Sequence, residues 1–240
     1  MTNMYLWTTG KQGFTWNPLA GRCGHACSYC YVQKMCRTQY LKDKYRGAPR
    51  LEPSAMKKDL GGNKTVFVCS MNDLFAPNVS MMDIREILKK AKKHPSNTYL
   101  IQTKNVPRLA DMWFDMDWDQ VAPPKVIIGT TIESNRDFDF SFAPNINDRM
   151  KAMIMIHPPE WCDKMVSIEP IVKFDHDRLV EIIRDIDPNF VSIGADSKHM
   201  DLPEPTREEV WKLIHALKSF TTVKLKSNLI RIAGQEIPEE

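Results

Sequence analysis

The sequence has 240 residues, of which 42% are hydrophobic and 26% are charged, with 10 Gly and 16 Pro. These values are ordinary for a globular protein and exclude collagen-like, low-complexity and wholly disordered chains. We expect a single domain over residues 1–240, with a loose tail at 234–240. No apolar run reaches the roughly 18 residues that span a bilayer, and Met1–Gln12 lacks the apolar core of a signal peptide. We therefore expect a cytoplasmic protein with no membrane partner.

Basic residues are concentrated near the N-terminus. Residues 1–50 contain eight Lys and Arg against Asp43 alone, a net charge of +7, whereas the whole chain carries +3. A positive segment attracts polyanions, so nucleic acid or a nucleotide is a candidate partner. A solvated helix face would have the same composition, and this alternative stays open.

Short β-branched or aromatic runs alternate with segments of helical period along the chain. The predicted strands are Phe14–Asn17, Thr65–Ser70, Thr98–Thr103, Lys125–Ile132, Met165–Glu169, Phe190–Ala195 and Thr222–Ser227. The predicted helices are Ser28–Tyr45, Met81–Lys93, Pro107–Met112, Asn147–Ile156, His176–Asp185 and Arg207–Ser219. Strand–helix repetition with strands that are apolar nearly throughout predicts an α/β fold with a parallel sheet, open or closed into a barrel.

Every predicted strand ends in hydrogen-bonding side chains. The residues at or just after the carboxyl ends of the strands, here called the strand exits, are Thr15–Asn17, Ser70–Asp73, Gln102–Asn105, Thr130–Ser134, Ser167–Glu169, Gly194–Ser197 and Lys224–Lys226. Any one of them could be a turn residue or a helix cap. Because ligands of parallel α/β proteins bind at the carboxyl ends of the strands, the seven exits together predict a polar ring around a binding site.

The strongest motif is a group of cysteines that follows the first predicted strand, Cys23-Gly24-His25-Ala26-Cys27-Ser28-Tyr29-Cys30. Three thiolates so close together can bind one compact metal centre, and sulfur ligands select zinc, copper(I) or an iron–sulfur cluster. A structural zinc site needs four protein ligands and would recruit His25, Cys36 or a distant Cys. An iron–sulfur cube held by three cysteines leaves one iron open to a small molecule.

The Cys-x3-Cys-x2-Cys spacing, with an aromatic residue before the last Cys, resembles the signature of radical S-adenosylmethionine (SAM) enzymes. The string Cys27–Gln33 is similar to the same region of spore photoproduct lyases. Four further stretches resemble an uncharacterised, often phage-encoded group within that superfamily: Phe14–Pro18, Ser70–Phe75, Gln102–Lys104 and Ser167–Pro170.

This resemblance implies a partial (βα)6 TIM-type barrel, with helices outside a parallel sheet and the cysteines in the loop after the first strand. It implies a [4Fe-4S] cluster on Cys23, Cys27 and Cys30, whose open iron chelates SAM. One electron would then cleave SAM into methionine and a 5'-deoxyadenosyl radical that abstracts hydrogen from the substrate. An electron donor such as flavodoxin or ferredoxin is an implied partner.

The resemblance also implies contacts to SAM. Tyr29 would pack near the adenine. The methionine amino group would be held by Ser70, Asn72 or Asp73, where relatives have a Gly-Gly-Glu string. The ribose or carboxylate would meet Thr130, Glu133 and Ser134. The adenine would be bordered by Ile168, Glu169, Gly194 and Ala195.

Three cysteines lie outside the motif. Cys69 ends the second predicted strand and could return a hydrogen atom to a product radical, a step for which spore photoproduct lyases use a cysteine. A small buried hydrophobic residue is the alternative. Cys36 and Cys162 are predicted to be structural.

The sequence suggests a large anionic substrate. Trp16 and Asn17 are expected to contact it, and Lys104 and Lys226 to bind phosphate or to pair with neighbouring glutamates. A basic, aromatic helix face suits nucleic acid and comprises Arg37, Tyr40 and Lys44. The chain is short for this class, so we expect the barrel to be open at its mouth, the end where the carboxyl ends of the strands lie. An open mouth would admit a nucleobase in nucleic acid or a nucleotide. Alternatively, a protein partner would complete it. The alternatives are a non-catalytic zinc module that binds nucleic acid and a radical SAM enzyme for a peptide or small metabolite.

Overall fold

The computed structural model describes residues 14–115 and 118–234, so Met1–Gln12 and most of the predicted tail lie outside the described residues. The strands are β1 (Phe14–Trp16), β2 (Leu19–Ala20), β3 (Arg50–Leu51), β4 (Thr65–Val68), β5 (Thr98–Thr103), β6 (Val126–Thr131), β7 (Cys162–Ile168), β8 (Phe190–Ile193) and β9 (Thr222–Leu225). The helices are α1 (Tyr31–Met35), α2 (Gln39–Lys44), α3 (Pro53–Lys57), α4 (Met81–Lys92), α5 (Val106–Asp115), α6 (Trp118–Val121), α7 (Ile146–Met155), α8 (His176–Ile186), α9 (Arg207–Lys218) and α10 (Ile230–Ala233). Within the described ranges, no helix has the length and apolar composition needed to cross a membrane.

The central sheet has seven strands in the order β1-β4-β5-β6-β7-β8-β9, and all neighbours are parallel. Parallel neighbours need long crossovers, which helices supply on the outside of the sheet. The predicted α/β class, with helices outside a parallel sheet, is therefore confirmed. Among the described strands, β1 and β9 end the order without pairing to each other, so the barrel is partial.

Two separate cores cover the two faces of this sheet. Side chains on the outer face of the sheet, such as Val66, Ile128 and Val166, belong to the large core between the sheet and the helices. The other face contributes one residue from each of five successive strands to a second core of Phe67, Leu100, Ile127, Met165 and Phe190. Because side chains alternate along a strand, this second core lies inside the barrel and forms an apolar floor.

The predicted helix Ser28–Tyr45 is wrong in detail, because the structure has two short helices there, α1 and α2. The break falls at residues 36–38, where the Thr38 side chain accepts a hydrogen bond from Leu41 N at 3.3 Å and caps α2. A hydroxyl at this position favours a new helix start over a continuous helix. The antiparallel pair of β2 and β3 and helix α3 were also not predicted.

Gly21 forms the turn that leads from β2 into the cysteine segment. Its φ is +88°, and a Cβ built there would lie 2.2 Å from the Ala48 carbonyl oxygen. Gly21 N also donates a hydrogen bond to Lys44 O at 2.8 Å. Only glycine combines this backbone conformation with such a close approach, so the segment 44–48 fixes where the cysteine loop begins.

Candidate active site at the barrel mouth

Cys23, Cys27 and Cys30 lie in the loop between β2 and α1, with half-buried free thiols. Cys30 is the last residue before α1. Gly24 lets the loop pack closely, because a Cβ there would lie 2.7 Å from Asn78 Oδ1. Burial raises the pKa of the Cys23 thiol to about 12.

A buried charge cluster joins this loop to the ends of β5 and β6. Glu133 lies between two cations, with 2.6 Å from Lys104 Nζ to its Oε1 and 2.9 Å from Arg149 Nη1 to its Oε2. The Tyr29 hydroxyl donates a hydrogen bond to Glu133 and accepts one from Lys104. Lys104 Nζ also donates to Cys27 Sγ at 3.6 Å. The cluster therefore connects a cysteine sulfur to the mouth of the barrel.

The ionisation of this cluster follows from its contacts. Burial alone would raise the pKa of Glu133, but Lys104 and Arg149 outweigh it and lower that pKa to about 2. Burial opposes the charge of Lys104, yet Glu133 and Tyr29 together raise its pKa. Burial and the neighbouring carboxylate raise the pKa of Tyr29 as well. The site thus holds an anionic glutamate, a cationic lysine and a neutral phenol at neutral pH.

A second ion pair lies across the mouth, between Lys226 Nζ and Glu169 Oε2. Asn228 Nδ2 donates to Glu169 Oε1 at 3.1 Å and to Ala195 O at 2.9 Å. A Cβ at Gly194 would lie 2.9 Å from side-chain atoms of both Glu169 and Lys226. A residue with a Cβ at position 194 would therefore push Glu169 and Lys226 away from the end of β8.

A polar layer lies between the charged mouth and the apolar floor. By the strand register, its members face the inside of the barrel: Gln102, Thr131, Ser167, Ser192 and Lys224. Gln102 Nε2 donates to Thr131 Oγ1 at 2.9 Å. The hydroxyls of Ser167 and Ser192 are buried and have no hydrogen-bond partner among the described residues. Buried polar groups normally find a partner, so these two hydroxyls mark a place for a bound group or a water molecule.

The types of donor group at the mouth suit the implied cofactors. Three thiols on one loop form a sulfur donor set suited to an iron–sulfur cluster. SAM presents a carboxylate and an amino group, and the mouth offers Lys104 as a cation with Glu133 and Glu169 as carboxylates. Across the described ranges, no group of three or more His, Cys, Asp or Glu side chains, the three motif cysteines included, is placed so that it could hold a metal ion.

Several residues predicted to bind SAM have other partners in the structure. Ser70 Oγ donates to Asn17 Oδ1 at 3.1 Å, and Asn72 Nδ2 donates to Gly21 O at 3.0 Å. Ser134 Oγ donates to Lys173 O at 2.6 Å and accepts from Arg136 N. These contacts organise the loops around the mouth.

Two predicted SAM contacts point away from the mouth. Thr130 shares its side of the sheet with Val166, and Ile168 has no exposed surface and belongs to the same outer core. The neighbour Thr131 faces the inside instead. A shift of one residue along a strand reverses the side on which a side chain lies, which explains the error at position 130.

Three of the six predicted substrate residues, Trp16, Asn17 and Lys44, line an open basic cavity of about 500 Å³ beside β1, whereas Lys104 and Lys226 lie at the mouth. The cavity is lined by Thr15, Trp16, Asn17, Lys44, Ser54, Ala55, Lys57 and Lys58. Trp16 is 1% exposed and donates from Nε1 to Ala55 O at 3.0 Å, so it forms the wall. Arg37 is exposed and donates from Nε to Lys34 O at 3.1 Å.

The cysteines outside the motif differ in burial. Cys69 is 3% exposed, and burial raises the pKa of its thiol. Cys162 is also buried, whereas Cys36 is half-buried at the end of α1. Cys69 is therefore a protonated thiol at neutral pH.

Sequence reasoning did not identify Arg149, Asn228 and Ser192 as site residues, and it named His25 only as a candidate fourth ligand of a zinc site. Arg149 and Asn228 lie in helical segments, so no strand-exit pattern signalled them. Ser192 lies inside a predicted strand, where a hydroxyl in an apolar run was the available signal.

Comparison with solved structures shows the same fold in two enzymes. A cysteine-to-alanine variant of spore photoproduct lyase has a TM-score of 0.62 and 10% identity, covering 90% of this chain and 77% of the lyase. A variant of that lyase with bound AdoMet and a dinucleoside spore photoproduct has a TM-score of 0.60 and 9% identity, with the same coverage. Streptococcus suis SuiB bound to S-adenosylmethionine has a TM-score of 0.53 and 10% identity, covering 95% of this chain and 53% of SuiB.

These likenesses confirm the predicted resemblance at the level of the fold, since the identities are too low to carry residue roles. No curated protein matches the sequence. The model of one family, described as "Protein of unknown function (DUF5131)", matches residues 7–173, which is more than half of the chain. The chain therefore belongs to the DUF5131 family.

Proposed function

We propose that the chain is a radical SAM enzyme that uses a [4Fe-4S] cluster on Cys23, Cys27 and Cys30 to cleave SAM reductively. The observation that carries this proposal is the position of the three half-buried thiols at the mouth of a partial barrel, where Lys104 Nζ lies 3.6 Å from Cys27 Sγ. The bound cluster and SAM would supply the 5'-deoxyadenosyl radical. The chain would bind and orient them.

Each charged group at the mouth has a role in this proposal. Lys104 and Arg149 would attract the carboxylate of SAM, and Glu133 would accept hydrogen bonds from its amino group or ribose hydroxyls. Tyr29 is in van der Waals range of Phe140, with ring centroids 5.8 Å apart, and together they would cover the adenine. The apolar floor would keep water from the radical.

We propose a nucleobase in nucleic acid or a nucleotide as the substrate. The basic cavity beside β1 supports this substrate class, because Lys44, Lys57 and Lys58 surround a space large enough for a nucleotide. The buried hydroxyls of Ser167 and Ser192 would hydrogen-bond an edge of the base inside the barrel. Cys69 would return a hydrogen atom to the product radical and would itself become a thiyl radical, since its buried, protonated thiol carries the S–H bond that this step breaks.

Two protein partners belong to the proposal. A flavodoxin or ferredoxin would deliver the electron that starts SAM cleavage. A second protein could complete the open mouth.

Anaerobic reconstitution with iron and sulfide, followed by SAM and dithionite, tests the enzymatic proposal. We expect brown protein with broad visible absorption that bleaches on reduction, and 5'-deoxyadenosine detected by mass spectrometry. Colourless protein with about one tightly bound zinc per chain would support the zinc module. Coloured protein that binds SAM but forms no 5'-deoxyadenosine would contradict an active enzyme.

Replacing Lys57 and Lys58 by Ala tests the nucleic-acid part of the proposal. Binding of a fluorescent single-stranded oligonucleotide should weaken. The slope of log K against log salt concentration should become shallower by roughly 1.4, because each lysine neutralises one phosphate and each phosphate of a single strand contributes about 0.7. The matched control is the double replacement of Lys89 and Lys90 on α4, which removes the same charge outside the cavity. Equal effects of the two pairs would reject this cavity, and turnover of a peptide or small metabolite would favour the other substrate classes.

A further inference from the structure

A buried histidine–aspartate pair connects the cysteine loop to the turn that follows β4. His25 is 2% exposed and lies between the ligand candidates Cys23 and Cys27. Its Nε2 is 2.9 Å from Asp73 Oδ2, on the turn that follows β4. The pair thus joins the loop to the barrel with one buried contact.

Asp73 is itself held firmly by the barrel. Its Oδ1 accepts hydrogen bonds from Thr103 Oγ1 at 2.7 Å and from Phe75 N at 2.9 Å, and its Oδ2 also accepts one from Lys104 N at 2.8 Å. With His25, these donors use the roughly four acceptor sites of a carboxylate. Asp73 therefore has no acceptor site left for the amino group of SAM, which was its predicted role.

The opposite side of the loop is held by the segment 140–142. Phe142 N donates to His25 O at 2.8 Å, and Ser28 N donates to Phe140 O at 2.8 Å. Between these contacts, Ala26 has a φ of +46°, which is unfavourable for a residue with a Cβ. Such a conformation persists only where the surrounding contacts hold it.

From these contacts we infer that His25 and Asp73 are a positioning pair that holds the cysteine loop in its cluster-binding conformation. Nε2 of His25 is directed at Asp73, and the Asp73 oxygens are occupied by the barrel. Nδ1 of His25 is buried and has no hydrogen-bond partner among the described residues. This inference rests on the proposed function, because it concerns how the cluster is retained.

The test measures how fast the reconstituted protein loses its cluster to an iron chelator under anaerobic conditions. His25→Ala should lose the cluster about tenfold to a hundredfold faster than the unaltered protein, the range for removing a hydrogen bond to a charged group. His25→Gln keeps an amide donor near the position of Nε2, so it should restore slow loss and an unaltered electron paramagnetic resonance spectrum. Asp73→Asn should accelerate loss, and combining it with His25→Ala should add little, because the two changes break the same contact.

Two controls keep the outcomes distinct. His94→Ala removes a His–Asp contact of 3.4 Å outside the site and should leave cluster loss unchanged. The urea midpoint of each variant separates loss of the contact from loss of the fold. If His25→Ala retains its cluster as well as the unaltered protein does, the inference is wrong while the proposed function stands. If the unaltered protein assembles no cluster, both are wrong.

Discussion

Replacing Cys27 by Ala is expected to abolish both the visible absorption of the reconstituted protein and the formation of 5'-deoxyadenosine. The cluster is proposed to have only three protein ligands, so removing one leaves two thiols to hold four irons. Cys27 is also the thiol in contact with Lys104, which lies against Tyr29 and Glu133. Its loss would therefore remove an iron ligand and a contact between the cysteine loop and the mouth.

The matched control for this prediction is Cys36→Ala. Cys36 is a half-buried free thiol just beyond the motif, at the end of α1, and is not a proposed ligand. Iron content, absorption and 5'-deoxyadenosine should stay at the level of the unaltered protein. A Cys36→Ala variant that loses its metal, or a Cys27→Ala variant that still cleaves SAM, would contradict the assignment of the three ligands.

Replacing Glu133 by Gln is expected to lower the free energy of unfolding by about 3 to 5 kcal/mol, the cost of breaking a buried ion pair from one side. Glu133 is 6% exposed and is bound by Lys104 and Arg149, so the substitution leaves two buried cations without their carboxylate. Urea unfolding of both proteins in the same cluster state measures the effect. Glu181→Gln is the control, since the Glu181 side chain is 57% exposed and its ion pair with Arg178 should contribute less than about 1 kcal/mol.

We expect the free energy of unfolding to depend on pH through Glu133. The Glu133 pKa lies at about 2 in the folded protein, against a usual value of 4.5. A lowered carboxyl pKa stabilises the fold above the usual value, and this contribution is lost as the pH falls from 4.5 toward 2. The loss amounts to about 3 kcal/mol at about 1.4 kcal/mol per pH unit. Glu133→Gln should lack this part of the acid destabilisation, and an identical acid profile for both proteins would count against the buried pair.

Much of the fold follows from local sequence patterns. The seven predicted strands all lie in the central sheet in chain order, because apolar β-branched runs and helical segments alternate from β4 onward and the pair of β2 and β3 forms a separate sheet. The cysteine spacing likewise identifies the loop after the first strand without any knowledge of distant residues. The prediction of one long helix is wrong at residues 36–38. The hydrogen bond from Leu41 N to the Thr38 side chain starts a new helix there, although the apolar residues keep a helical spacing.

The site was predictable only in outline. The strand-exit pattern identified Lys104, Glu133, Glu169 and Lys226 as residues of one mouth, because parallel strands end on the same side. The pattern could not tell whether Thr130 or Thr131 has its side chain inside the barrel, since this depends on the register and curvature of the strands.

The sequence by itself determined the order of the elements, the parallel sheet and the sulfur donor set, because each is encoded in spacings of a few residues. Only the tertiary structure decided which distant groups meet. Glu133 meets Lys104 from 29 residues away and Arg149 from 16, and His25 meets Asp73 from 48. Such contacts depend on how the curved sheet brings its strand ends together, and no short-range pattern records that geometry.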